Sequence, residues 1–406
     1  MLKKNQQRVI LIILVLLIFF LISFATNVLN AIIAEVRSTY DLSLTATGLL
    51  PFSFFVAYGV MSVPAGYLAD KFPPKHIVVA ALVAIAIAAT GFVVFPDYGP
   101  FLVVLFAMGC SMAVLQVVIN PLLRLAAGSE HFAFYSLIAQ LVFGGASFLS
   151  PLMYKKMVDP ESKDLWEVLR DLVAPAEGWV GMYVLFAVMA LILAGITAGT
   201  PFLQENQKNG QDDKGGFKAL LRSRATYFYF FGIFFYVGIE QGIGNWISPF
   251  LQEYHNLDPQ VLGALTVSRF WGMLTLGCVL GLFMVKVMDS KRVLAAFTFM
   301  AIVCLFAALL GNASLALIAF PACGFFISVM WSVIFSLALN SVKEYHGTFS
   351  GILCTGIAGG AFVPFIVGAL GSLISLRYAM FFLLLPLAYV LYIAFKAKPL
   401  VRNKTF

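Results

Sequence analysis

Among the 19 acidic residues, Glu240 is the one that no loop or helix end accommodates. It lies in the middle of FFYVGIEQGIGNWISPFLQE, Phe234 to Glu253, a largely apolar stretch long enough to cross a bilayer. A carboxylate at mid-membrane depth costs roughly 2.5 to 3.5 kcal/mol on insertion scales, so it persists only where it faces a bundle interior, a partner or a water-filled cavity. Gln241, Asn245 and Ser248 follow i, i+4, i+7 and share one helical face, with Glu240 about 100° round the helix. Gly238, Gly242 and Gly244 leave no side-chain bulk between these groups. Such a helix presents donors and acceptors to a ligand; the secondary reading makes Gln241 and Asn245 polar contacts between packed helices.

Other apolar stretches carry matching stripes. Gln116 and Asn120 are i, i+4, and Pro121 after them frees a backbone carbonyl; Ser136 and Gln140 are i, i+4; Ser23, Asn27 and Asn30 share a face; Ser328, Trp331, Ser332 and Ser336 stack along another. These are neutral amides and hydroxyls with an aromatic plate. They suit a neutral polyhydroxylated ligand, because amides bond pairs of hydroxyls and an indole covers an apolar C–H face. A peptide or phosphate carrier calls for more fixed charge, and a drug exporter for more aromatic and fewer amide groups. Arg269 is the second unusual charge, about 10 Å from the outer membrane face by helical rise, with Glu240 about 15 Å from it. Their depths would let them pair in at least one state; the other reading is an arginine that snorkels to outer head groups.

The elements that must position these groups are membrane-spanning helices. The 406 residues are 61% hydrophobic and 11% charged, and the mean hydropathy is +0.95. Apolar runs of about 20 residues imply helices, not the alternating strands of a membrane barrel. Twelve spans are expected, starting near Val9, Ala46, His76, Pro100, Phe132, Val180, Thr226, Val261, Val293, Leu315, Phe349 and Tyr378. The net charge of +7 reports topology and no nucleic-acid partner: with both termini cytoplasmic, about 19 Lys and Arg fall on the inner side and about 6 on the outer. The five cysteines fall inside spans without the spacing of a metal site, and the four histidines fall in loops or at span ends. No paired carboxylates share a span and no catalytic motif appears, so an enzyme is not expected.

The expected division is a six-helix bundle over 1–202, a cytoplasmic linker over 203–225 and a second six-helix bundle over 226–406. A short interfacial helix is expected in the outer loop Tyr154 to Gly178. At an offset of 215, Asn30 falls on Asn245, Ser53 on Ser268, Gly66 on Gly281, Lys71 on Lys286, Phe134 on Phe349 and Gly144 on Gly359. Parallel halves of this kind imply a substrate site between them and alternating access by rocking.

The stretch Gly66-Tyr-Leu-Ala-Asp70-Lys71-Phe-Pro-Pro-Lys75 resembles the loop signature GxLADRxGRK of the major facilitator superfamily, with Pro73 in place of the usual Gly. The resemblance implies a cytoplasmic gate built on Gly66, Asp70, Lys71 and Lys75. Three more stretches resemble the fucose-galactose-glucose symporter family: Gln116-Val-Val-Ile-Asn120-Pro121, Tyr236-Val-Gly-Ile-Glu240 with Gly244 and Trp246, and Met330-Trp331-Ser-Val-Ile-Phe-Ser336-Leu, followed by Gly359-Gly360 and Pro364. In that family Gln140 matches a sugar-contacting position. The fucose-type branch carries an Asp after its Leu-Asn pair and a Glu before its Asn-Pro, where this chain has Ala31 and Gln116, so that proton path does not carry over. The Glu240 pattern resembles the glucose-transporting branch, some of whose members use sodium and which tends to place an Arg where Cys278 stands.

The expectation is a secondary transporter of a glucose- or galactose-like hexose, working by alternating access as an H+ or Na+ symporter through Glu240. The alternatives are a passive uniporter in which Glu240 is a sugar ligand, or a carrier of another neutral polar solute. Substrate would be held by Asn27, Asn30, Gln116, Asn120, Gln140, Glu240, Gln241, Asn245 and Trp331, with Glu240 and Arg269 in coupling. No cofactor is expected beyond the coupling ion. The chain is expected to act as a monomer in a bacterial inner membrane.

Overall fold

The computed structural model describes residues 4–42, 44–159, 161–163, 165–173, 176–202, 220–257, 262–401 and 403–405. Residues 203–219 of the expected linker lie outside these, as does the side chain of Asn30. All regular elements among the described residues are helical: α1 Lys4–Thr39, α2 Leu44–Lys71, α3 Pro74–Val94, α4 Tyr98–Ala127, α5 Phe132–Val158, α6 Leu165–Val173, α7 Gly181–Gly199, α8 Arg224–His255, α9 Ala264–Val287, α10 Ser290–Leu310, α11 Ala313–Ile327, α12 Met330–Leu339, α13 His346–Thr355, α14 Gly359–Leu373, α15 Leu376–Met380 and α16 Leu384–Lys396. Among the described residues, eleven segments are long and apolar enough to cross a membrane. The twelfth, α8, has 32 residues, about 48 Å by helical rise, and falls short in apolarity because it carries Glu240, Gln241 and Asn245.

Helix boundaries repeat along the chain. Pro74 and Ser290 open α3 and α10, Tyr98 and Ala313 open α4 and α11, Phe132 and His346 open α5 and α13, and Thr39 and His255 close α1 and α8. Each pair is separated by about the offset that the sequence repeat gives. The register breaks after α5, where α6 intervenes before α7. On α6, Leu165, Val168 and Leu172 are exposed along one face, while Leu169 and Val173 are buried, as an amphipathic interfacial helix requires. Arg170 ties α6 to the end of α5 by donating to the carbonyls of Met157 and Asp159.

The chain forms two compact units, residues 1–126 with 145–211 and residues 127–144 with 212–406, so α5 belongs to the first unit by its second half and to the second by its first half. In the first unit α3 lies along α7, and Phe92, Phe101, Trp179 and Tyr183 form a ring cluster with centroids as close as 4.5 Å. The second half of α5 is joined to α1 by the Ser23–Ser147 hydroxyl pair at 2.8 Å and by Ser150 Oγ donating to Phe24 O at 2.8 Å.

In the second unit α8 is the hub, touching α9, α11, α12, α13, α14, α15 and α16. Lipid tails are as apolar as leucine, so close backbone approach and packing hold such helices together more than a hydrophobic drive does. Glycines supply the gaps. A Cβ on Gly359 would run into the Phe234 carbonyl, so α14 lies backbone-on-backbone against α8; in return Gly238 receives Val363 and Gly242 receives Leu383. Ser223 caps the start of α8 by accepting from Ala225 N at 3.3 Å. Its end is closed by Asn256 in the left-handed region at φ 53°, a conformation that asparagine tolerates.

The first half of α5 is held to this unit by Ser332 Oγ donating to Ser136 O at 3.0 Å and by Asn340 Nδ2 donating to Ser129 O at 3.0 Å. Gly281 of α9 meets Leu137, and Gly144 meets Thr275.

Three spans are interrupted. The tenth breaks between α11 and α12 at Ser328 and Val329, where Ser328 Oγ turns back to Phe325 O at 2.7 Å. The eleventh tightens into a 3-10 turn at Gly356–Ala358 between α13 and α14. The last tightens into a 3-10 turn at Phe381–Leu383 between α15 and α16. The Ser328 to Ser336 stripe read as one helix is therefore split, because a serine hydroxyl competes for its own helix carbonyls.

The close α8–α14 contact predicts that Gly359→Ala destabilises the protein by about 1 to 3 kcal/mol through overpacking. Gly272→Ala, whose Cβ enters open space, is expected to stay within about 0.5 kcal/mol. Thermal melting of the purified protein followed by tryptophan fluorescence compares the two, and equal midpoints would remove the constraint.

Candidate functional site

Glu240 stands sixteen positions after Arg224 and fifteen before His255, at the middle of α8. Its Oε1 accepts a hydrogen bond from Tyr236 Oη at 2.9 Å, one turn earlier on the same helix. A charge-assisted bond to a phenol satisfies one of the carboxylate's four acceptor sites and leaves others open. Tyr236 is itself 1% exposed and held in place: its ring lies 6.1 Å from Trp331, which stacks 5.3 Å from Phe335. Cys278 of α9, also fully buried, lies near enough for the charge of Glu240 to act on it, and its Sγ contacts Ser328 O at 3.7 Å, at the break between α11 and α12. The carboxylate thus sits beside interrupted backbone at mid-span, where irregular structure in a membrane protein is tolerated because it lines protein or a water-filled cavity.

Glu240 and Gln241 are half-buried and Asn245 is exposed. Gln241 packs its Cγ over Gly360, which directs the amide, and it interacts with Glu240. Gln140, in the first half of α5, is 8% exposed. It falls between the Leu137–Gly281 and Gly144–Thr275 contacts, which sets it level with Cys278 on α9. Among the described residues the side chains of Gln140 and Asn245 make no hydrogen bond, so their donors and acceptors are free for a ligand.

Trp331 differs from the sequence expectation: it is 5% exposed and braces Tyr236. Two indoles of this unit are half-buried: Trp246, whose Nε1 donates to Pro364 O at 3.1 Å, and Trp271, on the same face of α9 as Cys278, two turns away. The ring edge of Trp271 packs where Gly244 leaves space on α8, and it meets Phe270 edge-on at 5.3 Å. Sequence reasoning missed both Tyr236 as the partner of Glu240 and Trp271. The first was legible as an i, i+4 pair; the second needed the packing of α9 on Gly244.

Arg269 is nine positions before Cys278, which turns it about 180° away on an ideal helix. It is exposed on a face shared with Leu265, Leu276, Leu280 and Phe283. No ion pair joins it to Glu240 among the described residues.

The remaining expected residues lie in the first unit. Asn27 Nδ2 donates to Ser147 Oγ at 2.8 Å and to Ser23 O at 2.9 Å, so its amino group joins α1 to α5. Asn120 is fully buried, donates from Nδ2 to Gln116 O at 2.7 Å, and has an unpartnered buried Oδ1. Gln116 is 8% exposed. Gly66, Asp70 and Lys71 close α2 and Lys75 opens α3; Lys71 Nζ lies 4.5 Å over the Tyr67 ring, and Lys75 Nζ donates to Thr200 O at 3.1 Å. No cluster of metal-binding side chains occurs among the described residues.

The family model of the Major Facilitator Superfamily matches residues 15–363. A glucose/galactose transporter of Brucella abortus is 30% identical over 385 residues, covering 93% of this chain and 90% of that protein. The L-fucose-proton symporter of Escherichia coli is 25% identical over 385 residues, covering 87% of this chain and 86% of that one. The crystal structure of the transporter FucP superposes with a TM-score of 0.83 at 20% identity, over 96% of this chain and 98% of that one. With eleven candidate spans and the long helix α8 among the described residues, and a matching family model over most of its length, this chain belongs to the Major Facilitator Superfamily, and it is a membrane transporter, not an enzyme.

Proposed function

We propose that this transporter carries a neutral monosaccharide, a glucose- or galactose-like hexose, by alternating access, with Glu240 coupling the movement to H+ or Na+. One observation carries the reading: a carboxylate at the middle of α8, bonded by Tyr236 and still half-exposed, stands on a helix with the free amide of Asn245 and near the level of Gln140. A sugar hydroxyl both donates and accepts, so it can bridge a carboxylate and an amide at once. Trp271 supplies the aromatic plate for the apolar face of the ring, while Trp331 acts through Tyr236. Gln241 completes the set in this unit; Asn27, Asn30, Gln116 and Asn120 remain sugar-ligand candidates on the strength of their residue types.

The names of the relatives, glucose/galactose transporter and L-fucose-proton symporter, support a monosaccharide as cargo. The coupling role rests on Glu240 because no second interior carboxylate accompanies it among the described residues. Arg269 would join it only in a state in which α9 has turned. Gly66, Asp70, Lys71 and Lys75 form the cytoplasmic gate. The protein acts as a monomer in a bacterial inner membrane with both termini cytoplasmic, as the distribution of its basic residues supports.

The test is uptake of a hexose panel into proteoliposomes, with pH and sodium gradients imposed separately. Wild type is expected to accumulate sugar with one gradient, and Glu240→Gln to lose accumulation while retaining some exchange. Undiminished accumulation by the variant would refute coupling through Glu240; exchange of no sugar by wild type would refute the cargo; and equilibration without accumulation would make the protein a uniporter.

Trp271→Ala is expected to raise the apparent KM for sugar about tenfold, the equivalent of about 1.4 kcal/mol of lost contact, without lowering the melting midpoint. An unchanged KM removes Trp271 from the site. Arg269→Gln should accumulate sugar within about twofold of wild type, since an exposed charge away from such a site contributes little; a loss as deep as that of Glu240→Gln would show that the two act together.

A further inference from the structure

Far from Glu240, the closing end of α8 meets the start of α15. Arg377 lays its guanidinium over the Tyr254 ring, 4.4 Å from Cζ to the centroid, with the Phe250 ring 5.7 Å away. Its backbone N–H donates to Tyr254 Oη at 3.0 Å. These contacts hold the side chain in place, yet the guanidinium makes no hydrogen bond among the described residues, its Nε is buried without a partner, and no carboxylate there pairs with it. His255 packs against Phe250 with centroids 5.8 Å apart. It lies close enough for the charge of Arg377 to act on it, and its Nε2 is likewise buried and unpartnered.

Two buried nitrogens from separate helices, both lacking a partner and one of them on a permanent cation, are out of keeping with the general satisfaction of buried polar groups. A planar guanidinium fixed on an aromatic face presents its fork to a carboxylate or phosphate. The surroundings select between these. Leu373, Ile374 and Tyr378, close to Arg377 in the chain, are 80%, 61% and 67% exposed. One candidate span ends at Gly371 and the next begins at Leu376, so the cluster stands at a membrane boundary, where tyrosine is favoured. A ligand meeting both features has an anionic head and an apolar body.

We propose that Arg377 and His255 bind the headgroup phosphate of an anionic phospholipid, whose chains lie over Leu373, Ile374 and Tyr378. Arg377 supplies charge and a pair of N–H donors, and Tyr254 and Phe250 keep it from folding back into the protein.

The test is native mass spectrometry of the full-length protein in detergent, titrated with phosphatidylglycerol, with phosphatidylcholine of the same chain length, and with inorganic phosphate. Phosphatidylglycerol is expected to bind tightest, and Arg377→Gln to weaken it about tenfold, the loss of one charge-assisted contact. Lys163→Gln, an exposed charge in the first unit, should leave it unchanged. His255→Ala should weaken it to a lesser degree and decides the matter if Arg377→Gln does not yield folded protein. Equal phosphatidylglycerol affinity in wild type and the decisive variant would overturn the site. So would displacement of the lipid by millimolar inorganic phosphate, which would mark a free-anion site, or equal binding of the two lipids.

Discussion

The second unit depends on the hydrogen bond from Tyr236 to Glu240. A carboxylate in the middle of a spanning helix is tolerated only if something meets its charge, and the nearest donor is one turn back on the same helix. That phenol is in turn pinned by Trp331, and Trp331 by Phe335. A single polar requirement on α8 thereby sets the side chains of α12, and through the Ser332–Ser136 bond reaches α5. With Gln241 also bonded to the carboxylate, these contacts occupy part of its acceptor capacity and restrain the acid without consuming it.

Backbone proximity makes the arrangement possible. Gly359 and Gly360 let α14 approach α8 so closely that Phe234 O and Gln241 Cγ occupy the space of absent side chains. Without a hydrophobic drive between helices in lipid, such contacts hold the unit together, and they also aim the amide of Gln241. On the opposite side Gly244 admits Trp271. The glycines that give α8 its packing are thus interleaved with the residues that give it chemistry, and substitutions in this helix are expected to affect stability and transport together.

The interruptions at Ser328–Val329, Gly356–Ala358 and Phe381–Leu383 are the other departure from regular spans. All three occur in segments that pack on α8, and the first contacts Cys278, the neighbour of Glu240. At Ser328–Val329 the carbonyls are taken up locally: Phe325 O accepts from Ser328 Oγ, Ser328 O meets Cys278 Sγ, and Val329 O accepts from Val333 N.

The sequence alone determined the class of this protein. Its length of apolar runs, the sorting of basic residues and the repeat at offset 215 are each local or periodic properties, and the helix boundaries keep that offset from α1 to α5 and from α8 to α14. Glu240, Asn245 and Gln140 were legible for the same reason: a polar group in an apolar run carries its own anomaly. What only the tertiary structure decided is which helix face looks at which neighbour. Helical periodicity gives the angle between two side chains of one helix, but not the rotation of that helix against the next. So Arg269, matched to Glu240 in depth, lies on the opposite side of α9 from Cys278; Trp331, read as a ligand plate, became a brace; and Trp271, which had no anomaly in a run of apolar residues, gained one from the gap at Gly244. Depth follows from counting residues, whereas proximity follows from packing, and packing is settled by side chains contributed by several helices at once.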